Sequence, residues 1–261
     1  MKAVTGIFRS RIDAQHALAE MRSVSLPEDR ITLLTPGGEN DLQSIPAVAA
    51  EQPGVGTAIG AVIGASAGLS GPPLIAALVP GVGPIAAIGL LGAAVLAAAG
   101  AGIGAVAGRK LENAMTEGIP EDEIFVYEDA LRQGRSVVIA LADDESEAAR
   151  FRELLRVEGA EAVDAAREQW WIGLRGAEQE HYSKSGKTLS EDERFYRLGF
   201  ESALHARMRC KEYDQVVGEM TARLEDLQAQ YPNAAVAEPF TRGYERGREY
   251  YQHLCRESTA A

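Results

Sequence analysis

A stretch of 57 consecutive residues, 52–108, contains no charged side chain, and this feature constrains the fold more than any other. In the chain as a whole, 25% of the residues are charged, which is the ordinary proportion. About half of the 27 glycines lie in the uncharged stretch. Because such a segment gains little from contact with water, we expect it to be buried, either in a membrane or against other apolar segments.

Two groups of helix-breaking residues divide the uncharged stretch. The first is Gly71 with the two prolines that follow it, and the second is the run Pro-Gly-Val-Gly-Pro at 80–84. The pattern predicts an apolar helical hairpin with helices at about 54–70 and 85–108. The second helix reaches the ~20 residues that a bilayer crossing needs, and the first is marginal. The predicted bend contains Pro72, Pro73, Pro80 and Pro84.

Glycines recur at every fourth position in both predicted helices. In lipid, small residues at this spacing let two helix backbones approach closely. In water, each glycine would cost a helix about 1 kcal/mol relative to alanine. The spacing therefore predicts a glycine zipper that packs helices within one hairpin and between copies of the chain. Its residues are Gly56, Gly60, Gly64 and Gly68 in the first helix and Gly100, Gly104 and Gly108 in the second.

Each end of the uncharged stretch adjoins a pattern of strand, helix and strand. The first pattern has strands at about 3–8 and 31–34 with a helix at about 11–24 between them. The second has a strand at 136–141, a helix at 145–157 that stops at Gly159, and a short strand at about 162–165.

Two such units in tandem predict an α+β domain of the ferredoxin-like type, with a four-stranded antiparallel sheet. We assign it to residues 1–165, with 52–108 inserted. Between the insert and the second unit, a helix begins near Pro120 and ends at Gly134. Since both units must join one sheet, both ends of the insert must emerge on the same side of any membrane. A hairpin meets this condition and a single span does not.

The remaining residues, 166–261, predict a small all-α bundle with helices at about 166–182, 191–209, 213–230 and 238–256. An aromatic-Gly-aromatic-Glu pattern occurs twice, at 196–201 and 240–245. We expect the two helices that carry it to cross closely at Gly199 and Gly243. The adjacent Trp170 and Trp171 fit either a seam between domain and bundle or an interfacial membrane anchor.

The net charge of −12 argues against binding to nucleic acid. Residues 1–165 hold 22 acidic and 12 basic side chains, so the acidity is concentrated there. An acidic surface also repels anionic lipid headgroups, and any membrane contact must therefore be apolar. The first residues lack the apolar core and cleavage site of a signal peptide, which indicates a cytoplasmic location.

Residues 1–165 resemble the bacterial general-stress-protein family of the YflT type. The likeness rests on the strand Val4-Thr5-Gly6-Ile7-Phe8, the helix Ala14-Gln15-His16-Ala17-Leu18, the glycine zipper, and Gly118-Ile119-Pro120-Glu121-Asp122-Glu123. It implies a small ferredoxin-like, stress-associated protein with no catalytic residues to assign. The helical bundle lies outside the resemblance.

No arrangement of residues predicts a catalytic, metal or cofactor site. The histidines and the two cysteines lack the spacing of a zinc site, since His205 precedes Cys210 by five residues and His253 precedes Cys255 by two. A group of basic residues in the bundle has two readings. They form either a phosphate-binding surface or ion pairs at helical spacing with Glu201, Glu245 and Glu249. The group is Arg207, Arg209, Lys211, Arg242, Arg246 and Arg248.

The sequence thus predicts a non-enzymatic structural or interaction protein, associated with stress, that is anchored in a membrane or assembled with itself through the hairpin. It would be a homo-oligomer on the cytoplasmic side of the inner membrane. The alternative is a cytoplasmic, soluble oligomer that senses a small molecule and buries the hairpin within the assembly.

Overall fold

The computed structural model describes residues 2–23, 30–37, 74–79, 82–88, 120–209, 211 and 213–260. The chain folds into two compact units, Met1–Arg167 and Glu168–Ala261. The first unit contains an antiparallel sheet with helices, and the second is entirely helical where it is described. The prediction of an α+β fold is confirmed at this level.

Five strands form the sheet, in the order β1-β5-β2-β4-β3, and every neighbouring pair is antiparallel. The strands are β1 Lys2–Phe8, β2 Ile31–Pro36, β3 Leu74–Val79, β4 Gly83–Ile88 and β5 Ser136–Ala142. The central strand β5 is buried along its whole length. The described helices are α1 Arg11–Ser23, α2 Ile124–Arg132, α3 Glu145–Val157, α4 Val163–Ser183, α5 Leu189–Leu204, α6 Tyr213–Gln230 and α7 Ala237–Ala260.

Helices α1 and α3 cover one face of the sheet. Alternate residues of each strand point to this face, because successive side chains of a strand point to opposite sides. Gly6 lies beneath α3, and a Cβ there would come within 2.7 Å of the Cβ of Ala160. The core on this side is formed by side chains of the sheet, of α1 and of α3. Its residues are Val4, Phe8, Ala14, Ala17, Leu18, Met21, Ile31, Leu33, Val138, Ala140, Ala142, Ala148, Phe151 and Leu155.

Helix α2 covers the opposite face and contacts β5 and β2. Nearly all of its side chains are buried, including Glu128. The predicted start near Pro120 is four residues early, because residues 120–123 form a turn and Glu123 is the N-cap. The predicted end at Gly134 is close, since the helix ends at Arg132 and Gly134 has a φ of +80°.

The middle of the uncharged stretch forms a β-hairpin. Strands β3 and β4 pair from Leu74 with Ile88 to Val79 with Gly83, and β4 also pairs with β2. The prediction of a helix that begins at Ile85 is therefore wrong for residues 85–88, and the rest of that helix and the predicted helix at 54–70 lie outside the described residues. A strand buried on both faces carries an unbroken apolar run, which periodicity cannot distinguish from a buried helix. Pro84 is accommodated as the second residue of β4, where the strand begins.

The short strand predicted at about 162–165 is reduced to a single bridge. Ile7 and Glu161 exchange two backbone hydrogen bonds, of 3.0 and 2.8 Å. Helix α4 then begins at Val163, because Val163 to Ala166 already belong to its apolar periodicity. The bridge extends the sheet next to β1 by one residue.

In the second unit, α5 and α7 make the most extensive contact between two helices that the described residues show. Helix α6 packs against them through Val216 and Met220, which join a core with Met208, Phe240 and Tyr244. Helix α5 ends at Leu204, so the prediction that it continues to Arg209 is wrong. Residues 206–209 form a turn, in which the amides of Met208 and Arg209 donate to the carbonyl of His205 at 2.8 and 3.1 Å.

Candidate functional site

The seven zipper glycines from Gly56 to Gly108, and the bend prolines Pro72, Pro73 and Pro80, lie outside the described residues. Pro84 is described, and its carbonyl accepts a 2.8 Å hydrogen bond from the amide of Gly37. It therefore belongs to the junction between β2 and β4. For Pro84 the predicted role as part of a bend between two helices is wrong.

The pairing of the strands determines the points at which the uncharged stretch enters and leaves the sheet. Leu74, the first residue of β3, pairs with Ile88, the last residue of β4. Leu34, near the end of β2, pairs with Val137, near the start of β5. The chain therefore returns to one sheet three times, at β2, at the β3–β4 hairpin and at β5.

Gly199 and Gly243 lie where α5 and α7 cross, and the structure brings together the two positions that the repeated pattern marks. A Cβ on Gly199 would overlap the carbonyl oxygen of Phe240, and a Cβ on Gly243 would overlap that of Tyr196. The sequence analysis missed Gly247, whose missing Cβ makes room for the carbonyl oxygen of Phe200. Its spacing of four residues from Gly243 is the pattern that could have identified it.

Aromatic side chains surround this crossing. Phe200 lies with ring centroids 5.9 Å from both Trp170 and Trp171 and 5.4 Å from Tyr250. The indole nitrogen of Trp171 donates to Glu193 at 2.8 Å. Both tryptophans therefore pack against aromatic residues of the second unit.

A buried carboxylate, Glu178 on α4, connects three helices of the second unit. Its side chain is 1% exposed, accepts from the hydroxyl of Tyr196 at 2.7 Å and pairs with the guanidinium of Arg246 at 3.0 Å. Burial, together with the hydrogen bond to Glu178, raises the pKa of Tyr196. The hydroxyl therefore stays protonated and acts as a donor at neutral pH.

A cavity of about 130 Å³ lies beside this network. Its lining mixes both signs, with Arg242 and Arg246 facing Glu245 and Glu249. Arg242 also pairs with Glu238 at 2.7 Å, and Arg246 with Glu249 at 3.4 Å. For these two arginines the ion-pair reading holds, although Arg242 pairs with Glu238, which that reading did not include.

A second cavity of the bundle has a volume of about 190 Å³. Among the described residues, its lining contains three cationic side chains, together with apolar walls from Ala203 and Met208. Arg209 follows α5 and is 5% exposed, with its guanidinium 5.3 Å from the ring centroid of Tyr251. The described lining residues are Ala203, Met208, Arg209, Lys211, Arg248, Tyr251 and Gln252.

In the first unit, a chain of hydrogen bonds links the sheet to α2. The hydroxyl of Thr5 lies 3.0 Å from that of Tyr127, which donates to Glu123 at 2.5 Å. Burial raises the pKa values of both Tyr127 and Glu123. Tyr127 is 1% exposed, and this network holds α2 on its face of the sheet.

The described parts of the chain were also searched for a membrane-spanning helix and for a metal site. No described helix is long and apolar enough to cross a membrane. Within the same ranges, no three side chains of His, Cys, Asp or Glu form a group that could hold a metal ion. Comparisons of the chain with family models, with curated proteins and with solved structures found no match.

Proposed function

We propose that this protein is a non-enzymatic structural or interaction protein that assembles with itself through the uncharged residues 52–108. The observation that carries the proposal is the composition of this stretch, which has no charge and repeats glycine at every fourth position. Glycine faces of this kind let segments pack backbone to backbone. The family resemblance adds an association with stress.

The sheet topology supports self-association over membrane crossing. Strands β2, β4 and β5 belong to one sheet, so a segment that leaves between two of them must return to the same side of a membrane. The connections 38–73 and 89–119 contain 36 and 31 residues, whereas two crossings need about 40 apolar residues and a turn. Neither connection is long enough for a hairpin through the bilayer, and each would have to pack against protein or lie at a membrane surface.

The sheet order is also the basis for proposing that the first unit is ferredoxin-like. The bridge at Glu161 lies next to β1, followed by β5 and β2. This order is the ferredoxin-like one, if β5 is taken as its third strand and the bridge as its fourth. The β3–β4 hairpin is then an addition to the edge beyond β2, and it joins the two glycine-rich segments.

Fractionation of the expressed whole chain tests the proposal. We expect a soluble particle of defined size, larger than one chain, that stays in the supernatant after high-speed centrifugation. Recovery as a monomer would contradict the proposal. Retention in the membrane pellet through high-salt and alkaline carbonate washes would instead establish an integral anchor, which is the second candidate that the sequence alone supports.

A further inference from the structure

The cavity of about 130 Å³ beside the Glu178 network is formed by three helices of the second unit. Its lining includes the buried side chains of Tyr182 on α4 and Tyr196 on α5. The exposed His181, Ser185 in the turn after α4, and charged side chains of α7 form the rest of the described lining. A cavity of this volume has room for several waters, and therefore for a ligand of a few non-hydrogen atoms.

One end of this cavity carries surplus positive charge. Arg242, which lines it, and Lys187 both pair with the carboxylate of Glu238, at 2.7 and 2.6 Å. Among the described side chains, two cations thus share one carboxylate, which leaves one positive charge without compensation. The guanidinium of Arg242 also lies 5.5 Å from the ring centroid of Tyr182, a contact that holds it at the cavity.

The other end carries surplus negative charge. The guanidinium of Arg246 pairs with the buried Glu178 at 3.0 Å and reaches Glu249 at 3.4 Å. Glu245 also lines the cavity, and it forms no ion pair or hydrogen bond with any described side chain. Three carboxylates therefore accompany one guanidinium at this end.

The two ends lie along one stripe of α7. Residues 242, 245, 246 and 249 are spaced by three and four, which places their side chains on one face of the helix. At a rise of 1.5 Å per residue, Glu245 lies about 5 Å along the helix axis from Arg242, and Glu249 about 10 Å. Surplus charges of opposite sign thus lie within about two helical turns of each other, which suits a ligand that carries both charges.

We propose that this cavity binds a small free amino acid as a zwitterion, with the ligand carboxylate on Arg242 and the ligand ammonium group on Glu245 and Glu249. A guanidinium offers a fork of donors that matches a carboxylate, and an ammonium group has three donors for carboxylate oxygens. An anion alone would leave Glu245 without compensation, and a cation alone would do the same to Arg242. This binding is independent of assembly through residues 52–108, so either proposal can fail without the other.

Isothermal titration calorimetry on the whole chain at constant ionic strength tests the proposal, with glycine and alanine as probes. We expect saturable binding, weakened at least about tenfold by Glu245→Gln and by Arg242→Ala, because each variant removes a charge-assisted hydrogen bond to the ligand. Glu245 is exposed, so its conservative variant should keep the fold. Glu225→Gln is the matched control. It removes the same charge from an exposed position of α6 outside the cavity and should bind as the unchanged chain does.

Three further probes each lack one feature of the zwitterion. Acetate has only the carboxylate, methylammonium has only the cation, and glycine betaine has both charges but no N–H donor. We expect each of them to bind the unchanged chain at least about tenfold more weakly than glycine does. The proposal would be overturned by the absence of saturable binding of glycine and alanine, by equal binding in Glu245→Gln, or by any of the three probes binding as tightly as glycine.

Discussion

At the scale of single residues, the packing of the second unit depends on glycines at the helix crossing as well as on buried polar side chains. Gly199 and Gly243 each make room for a backbone carbonyl of the facing helix, and Gly247 extends the same contact by one turn. Around them, the buried carboxylate of Glu178 is compensated by Tyr196 and Arg246. Close packing and a satisfied buried charge therefore occur within the same group of helices.

Gly199→Ala should destabilise the second unit by about 1–3 kcal/mol, because the added Cβ overlaps a carbonyl oxygen and forces α5 and α7 apart. Urea unfolding followed by tryptophan fluorescence measures the change, since both tryptophans pack at this crossing. Gly218→Ala is the matched control. No atom lies within 4 Å of its added Cβ, so alanine should leave stability unchanged or raise it by up to about 1 kcal/mol.

Arg246→Ala should cost about 3 kcal/mol, because it leaves the buried Glu178 without its cation. Arg242→Ala removes an ion pair with Glu238, whose side chain is 51% exposed, and should cost at most about 1 kcal/mol. Both losses are measured as the change in the free energy of unfolding in urea relative to the unchanged chain. Equal losses in the two variants would show that the buried pair contributes no more than the exposed one.

The His16 side chain should titrate above its ordinary value of 6.5. A 2.7 Å hydrogen bond to Glu158, reinforced by the charge of that carboxylate, raises the pKa of His16. The stabilisation is complete below pH 6.5 and is lost as the pH rises through the folded-state pKa. Proton NMR titration should find the raised value and a return toward 6.5 in Glu158→Gln. A value at or below 6.5 in the unchanged chain would refute the ion pair.

At the scale of elements, the β3–β4 hairpin is the part of the fold that changes the interpretation most. It places residues 83–88 between β2 and β3, where Ile85, Ala86 and Ala87 are buried. The uncharged stretch therefore contains a strand pair between two glycine-rich segments, and the predicted helix cannot begin before residue 89.

Hydrogen exchange tests this assignment. Amides in 83–88 should be protected to a degree comparable with those of β5, because both strands are interior in the sheet. Exchange is followed by mass spectrometry on peptides that cover 83–88 and 136–142. Exchange of 83–88 at the rate of an unstructured peptide, while β5 stays protected, would refute the strand.

At the scale of the whole molecule, the sequence predicted the α+β character and the positions of most helices, since these follow from apolar periodicity. The repeated pattern around Gly199 and Gly243 also marked the closest helix crossing. The strands β3 and β4 were missed because Ala, Gly and Ile in an uncharged run have no period that separates a buried strand from a buried helix. The sequence named Arg209, Lys211 and Arg248 within a larger basic group, but it could not separate them from Arg242 and Arg246, because the shape of the second cavity of the bundle depends on the turn at 206–209, which the sequence predicts as helix.

The charge distribution bears on the proposed assembly. A net charge of −12 makes the folded surfaces repel each other, so in the proposed assembly we expect association to come from the uncharged stretch. Its two glycine-rich segments are joined through Leu74 and Ile88, which are partners in the sheet. The segments thus leave the sheet from adjacent points, as a packed pair requires.

The most direct test is the particle size of the double variant Gly60→Leu with Gly64→Leu, measured by size-exclusion chromatography with light scattering. Its matched control is Ala58→Leu with Ser66→Leu, which adds bulk on the opposite face if the segment is helical. We expect the glycine variant to dissociate into smaller species while its first unit stays folded by circular dichroism, and the control to keep the size of the unchanged chain. An unchanged size in the glycine variant would contradict assembly through the glycine faces.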